Sequence, residues 1–243
     1  MTKFYPGQSV IGLITAGLLL AGSTAIAASG PLNSVAPQPV KLTEIDFAPR
    51  NVTQAEIGYF RFEPGQVAPV HHHLAPAIGL VARGRIIFQA EGEQARIIDE
   101  GAPFYEPAGP RILRFDNMSA TEEAVFIDFS LEREGEPFIA FDEEPTGPID
   151  RRSQPTVDLG GQRFGHVDVH QQDLPGSTSV SLEGAAPVIG IVSQGVIELQ
   201  SDGGETRRLV VGETFALTEA GAKAEIVNGS DEATARLVTY RLR

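Results

Sequence analysis

The residues best placed to do chemistry are the triplet His71-His72-His73. Alternate side chains of an extended strand point to one face, so His71 and His73 look the same way with α-carbons about 7 Å apart. Two imidazoles so spaced can converge on one cation at roughly 2.0–2.1 Å from each nitrogen. His72 then turns the other way, toward solvent or an interface. Two nitrogens are too few: catalytic zinc usually keeps three protein donors, and the non-haem iron triad adds a carboxylate to two histidines. Glu106 has the best claim to be the third donor, with Tyr105 and Asp116 behind it. A divalent metal (Fe, Mn or Zn) is the cofactor this set predicts, and a pocket lined by histidines without an ion is the alternative. The remaining histidines lie in His166-Val167-Asp168-Val169-His170, where the same alternation puts the three polar residues on one face. The reading preferred for them is the solvent side of an edge strand, with Val167 and Val169 turned inward.

Composition removes other chemistries. The chain has no cysteine, which excludes a disulfide framework, thiolate metal sites and a cysteine nucleophile. No nucleophile motif or phosphate-cradling glycine loop occurs. Asp and Glu number 32 against 19 Lys and Arg, a formal charge of -13, so nucleic acid and anionic membrane are poor partners. Arg151-Arg152 and Arg207-Arg208 are isolated basic pairs. Asn51, Asn117 and Asn228 head Asn-x-Ser/Thr triplets, which matter as acceptors only in a glycosylating host.

The elements that must position these residues are strands. Lys3, the apolar stretch Val10 to Ala21 and the small residues Ser23 to Ser29 have the layout of a cleavable secretory signal over residues 1–27. The protein is therefore expected to be exported, periplasmic or secreted, with no membrane association after leader cleavage. Beyond the leader, a shift of 111 residues superposes Ala75-Pro76, Ile78-Gly79, Val81, Gly84, Ile86, Gln89, Gly92, Arg96, Gly101 and Phe104 on identical residues. Average composition would give roughly two identities in a window of that size, so the sequence reads as one unit written twice. Val125, Ile127, Phe129 and Leu131 alternate with Phe126, Asp128, Ser130 and Glu132, which is strand periodicity. Glu91-Gly92-Glu93 and Asp202-Gly203-Gly204 read as hairpin turns. The two units span 42–132 and 161–243. The acid-, Pro- and Gly-rich 133–160 reads as a surface linker, with Phe138, Ile139 and Phe141 available to pin it to a barrel.

The first unit resembles the cupins, whose small barrels carry the motifs G-x5-H-x-H-x3,4-E-x6-G and G-x5-P-x-G-x2-H-x3-N. Gly65, His71, His73 and Gly84 fall on the first motif; Gly101, Pro107, Gly109 and Asn117 follow the second, with one extra residue before Asn117. The resemblance implies an all-β fold of two cupin-like jelly-roll barrels in tandem. It also implies four metal ligands, and here the sequence departs from the family. Ala77 stands where the glutamate belongs, and Ile112 or Leu113 where the late histidine belongs. In the second unit Leu182, Glu183 and Gly184 replace the triplet and Ala224 the late histidine. Three functions follow as expectations: a module binding a small organic ligand in a barrel lined by residues such as Phe88, Ile78 and His73; a metal-dependent dioxygenase or isomerase using His71 and His73; or a structural partner of another exported protein. A homodimer is implied by the resemblance alone, and the two barrels packing on each other within one chain is the alternative.

Overall fold

The computed structural model describes residues 36–145 and 147–243; the leader expected over 1–27 lies outside them. Among the described residues every regular element is a strand, and no helix is long and apolar enough to cross a membrane. The first half runs β1 (Val40–Phe62), β2 (His71–His72), β3 (Ala77–Arg83), β4 (Ile86–Ala90), β5 (Arg96–Ile98), β6 (Pro103–Glu106), β7 (Arg111–Asn117) and β8 (Ala124–Glu132). The connecting segment holds β9 (Ala140–Phe141) and β10 (Asp150–Ser153). The second half runs β11 (Val157–Leu174), β12 (Ser179–Glu183), β13 (Val188–Gln194), β14 (Val196–Ser201), β15 (Thr206–Val210), β16 (Thr214–Leu217), β17 (Lys223–Asn228) and β18 (Ala235–Leu242).

One sheet runs through both halves in the order β16-β13-β18-β11-β1-β8-β3-β6, and β10 adds to β1 beyond the end of β11. Strand alternation gives this sheet two unlike faces. On one, Ile57, Ile78, Leu80, Ile127 and Phe129 meet Val167, Ile189, Ile191, Val238 and Tyr240 in a core shared by the two halves. The other face turns inward within each half. In the first half β5-β4-β7-β2-β9 closes over it, around Phe60, Phe62, Phe88, Phe104, Phe115 and Phe126. In the second half β12-β17-β14-β15 does the same around Leu174, Val192, Ile197, Phe215 and Leu237.

Pairings recur 111 residues apart. Gly79 lies opposite Phe104 and Gly190 opposite Phe215; in each case a β-carbon on the glycine would stand within 2.3 Å of the partner's ring, so only hydrogen fits. Asn117 and Asn228 are both buried, and each donates its side-chain amide to the carbonyls of a neighbouring chain reversal. These two asparagines are turn anchors, closed to glycosylation by their burial.

Two expectations are corrected. β11 is no edge strand: β18 pairs on one side and β1 on the other. Its polar alternation reports only that one face is wet, whereas edge status depends on partners remote in sequence. Val167 and Val169 are fully buried as expected. Ile78 and Phe88 do not line a ligand cavity. Ile78 points into the core shared by the halves, and Phe88 packs edge-on against Phe115 in the closed interior of the first half.

Candidate metal centre

The site is built from three strand positions. β2 pairs with β7 on one side and β9 on the other, His71 lying between Ile112 and Phe141. Alternation then turns His71 and His73 inward, with 4% and 1% of their surfaces exposed, their ring centroids 5.4 Å apart and the rings near perpendicular. Glu106, at the end of β6, is 2% exposed and faces them. Its carboxylate oxygens lie 3.6 Å from His71 Nε2 and 3.2 Å from His73 Nε2. All three ligand atoms lie within 4.8 Å of one another.

Sheet register explains why the carboxylate comes from here. Glu106 pairs directly with Ala77, and Ala77 with Ser130 on its other side. Paired residues share a face, so Glu106 projects from the same row, one strand over, as the position where the cupin glutamate belongs. Alanine at 77 leaves room for it. The late-histidine position is settled too. The β4–β7 register skips Leu113 between Gln89↔Arg114 and Ala90↔Ile112, so the extra residue is a bulge and buried Ile112 stands beside His71. Of the other candidate donors, Tyr105 packs on the shared core, and Asp116 accepts a 2.8 Å bond from Arg114.

The imidazoles are oriented from behind. His71 Nδ1 donates to the Pro69 carbonyl at 2.8 Å and His73 Nδ1 to the Phe138 carbonyl at 2.9 Å. These bonds fix the tautomer that leaves each Nε2 free to ligate, the usual arrangement behind a metal-bound histidine. Arg50 donates to the Leu74 carbonyl at 2.9 Å and pairs with Glu136, tying the chain after His73 to the connecting segment. His73 Nε2 and Glu106 Oε1 are buried without a hydrogen-bond partner. Such orphans are costly unless something unseen satisfies them, and a divalent cation among three donors does so. The donor set therefore fits a metal.

Electrostatics describe the same site without an ion. Burial alone would lower the His73 pKa, but the Glu106 carboxylate outweighs it and lifts the imidazole to about 9. Burial alone would raise Glu106, but the two histidines hold it down at about 2. The metal-free site is thus a buried ion pair. Asp128 is shifted the other way: burial, then the negative Glu106, push its carboxyl well above the usual carboxylate range.

These groups open onto a cavity of about 280 Å³ walled by Phe60, Phe62, Phe115, Phe126, Phe138 and Phe141, with Asp128 and Arg151 as further polar members. Phe138, Phe141 and Arg151 come from the connecting segment, which sequence reasoning treated as a surface linker. A second group, Glu44, His166 and Asp168, also gathers ligand atoms. There Asp168 already pairs with Lys41 at 3.1 Å and Arg243 at 2.9 Å, and His166 with Asp46 at 2.6 Å. That is an ion-pair cluster on the outer face, and His170 stands apart from it.

No family model matches this sequence, and no curated protein does. Solved structures do. AerE from Microcystis aeruginosa is 14% identical over 86% of this chain and 98% of its own, with a TM-score of 0.56. Salicylate 1,2-dioxygenase from Pseudaminobacter salicylatoxidans is 13% identical over 78% of this chain and 71% of its own, with a TM-score of 0.54. A variant of that enzyme in complex with gentisate gives 14%, 78%, 69% and 0.50. At such identities the likeness is one of fold: the chain is all-β and cupin-like.

Proposed function

We propose that the first half holds a divalent metal on His71, His73 and Glu106, and that the protein is a metal-dependent enzyme of the oxygenase or isomerase class acting on a small organic molecule. The observation that carries this reading is the third donor, a buried carboxylate within 3.6 Å of both Nε2 atoms. Two histidines and one carboxylate with open positions are the donor set of non-haem iron(II) sites, so iron is the first candidate, with manganese and zinc next. When bound, such an ion supplies Lewis-acid polarisation and, for iron or manganese, redox chemistry.

The chain's own residues do the rest. The Pro69 and Phe138 carbonyls hold both imidazoles with Nε2 toward Glu106. The phenylalanine walls keep water from a bound molecule, and Asp128 holds a proton at the cavity wall where a ligand can take it. We read the two halves as two copies of one jelly-roll barrel, 42–132 and 161–243, joined by 133–160. The second copy serves as scaffold, since Leu182, Gly184 and Leu217 stand where the first has His71, His73 and Glu106. The leader-like 1–27 supports export to the periplasm or beyond.

The test is metal content of the natively purified protein by elemental mass spectrometry. Near-stoichiometric metal is expected, lost in His71→Ala/His73→Ala. Glu106→Ala should weaken binding by at least the order of 10- to 100-fold that supporting residues of metal sites cost. Ala77→Glu in that background should restore part of it, because residues 77 and 106 face each other across one strand pair. Metal-free native protein would leave a binding module with histidines lining its pocket.

A further inference from the structure

Arg151 is the one cationic side chain lining the cavity of the first half, and the fold goes to some length to put it there. β10 pairs with β1 so that Arg151 lies directly opposite Phe60. Phe60 faces the interior, so Arg151 does too. Its guanidinium carbon stands 4.2 Å from the centre of the Phe138 ring and 5.8 Å from that of Phe60, in the range of cation–π contact. Gly58 gives it space: a β-carbon there would fall 3.0 Å from Arg151 Nε and 2.5 Å from the Phe60 ring.

The arginine is only partly satisfied. One terminal nitrogen pairs with Glu56, but Nε is buried without a hydrogen-bond partner. An Arg N–H aimed into a water-poor cavity is a recognition element for a carboxylate oxygen. The rest of the wall is six phenylalanines, whose faces and edges suit a flat ring. At about 280 Å³, the space lies at the lower end of the roughly 300–1,000 Å³ typical of small-molecule sites.

We propose that this cavity takes a small aromatic monocarboxylate, its acid group held by Nε of Arg151 and its ring lying among the phenylalanines beside His71, His73 and Glu106. This rests on reading the cavity as the working site of the first half, but not on which metal is there. The arginine belongs to the segment between the halves, so ligand recognition and metal ligation come from different parts of the chain.

The experiment is isothermal titration calorimetry of zinc-loaded and metal-stripped full-length protein with benzoate and its neutral isostere benzamide, beside Arg151→Gln and Arg151→Lys. A charge-assisted hydrogen bond of ordinary strength predicts that wild type prefers benzoate by about ten- to hundredfold. Arg151→Gln should erase the preference while leaving benzamide binding unchanged; Arg151→Lys, which keeps the charge but lacks Nε, should recover only part. Equal affinity of wild type for the two probes, binding of neither, or a preference that survives in Arg151→Gln overturns the proposal. The wild-type comparison decides even if a variant fails to fold. Arg151-dependent benzoate binding by a protein that takes up no zinc would keep this inference and remove the metal-centre reading.

Discussion

His73 and Glu106 share one proton's worth of electrostatics, and an ion must displace it. In the metal-free protein His73 is raised to about 9, so its contribution to stability is fully present below its ordinary value of 6.5 and lost as pH rises through about 9. Glu106 is lowered to about 2, so its contribution is present above its ordinary 4.5 and lost as pH falls through about 2. Thermal melts of metal-stripped protein should therefore show this pair's stabilisation at its fullest between about pH 4.5 and 6.5, with both flanks flattened in Glu106→Gln. Metal uptake needs neutral His73, so apparent affinity should climb with pH toward about 9, read by competition with a chelator. Residues of this site were legible in the sequence to different degrees. The shared face of His71 and His73 follows from local alternation. Glu106 was visible only as one candidate among three, because the register that sets it opposite Ala77 is a pairing of remote strands. Arg151 was read as half of a surface basic pair, since nothing local reveals that β10 lays it across from Phe60.

The strands were legible where one face is wet and the other dry, as in β18, and the turns where glycine takes a positive φ, as at Gly92 and Gly204. Strand neighbours were not, which is how β11 was taken for an edge. Gly79 shows what such a pairing demands. It sits in β3 between Phe104 of β6 and Asp128 of β8, and an added β-carbon would meet the Ile127 carbonyl at 2.2 Å and the Phe104 ring at 2.3 Å. Gly79→Ala should push Phe104 into the neighbouring Phe115 and Phe126 and cost about 1–3 kcal/mol or more, measured by denaturant unfolding. Because Glu106 is two residues beyond Phe104 on the same strand and face, the same substitution should also weaken metal binding. Unchanged metal affinity would mean that β6 is held independently of this contact.

The two halves are one folding body, because the sheet face that each leaves apolar is covered by the other. Phe129 and Tyr240, 111 residues apart, meet there with ring centres 5.1 Å apart, and the Tyr240 hydroxyl donates to the Gly79 carbonyl at 2.8 Å. Phe129→Ala should cost about 3–5 kcal/mol and lower a single calorimetric transition; two separated transitions would show that the halves melt on their own. The duplication was plain in the sequence, but not the choice between pairing within the chain and pairing between chains, because the apolar residues facing out of each unit are the same in either case. The connecting segment brings a practical consequence for anyone who would cut or circularly permute this protein. A scission at Glu132, where the repeat unit ends, removes the carbonyl that steadies His73, the strand beside His71 and the arginine in the cavity. A fragment meant to keep the site must run on through Ser153, so the functional boundary of the first half lies some twenty residues past its architectural one.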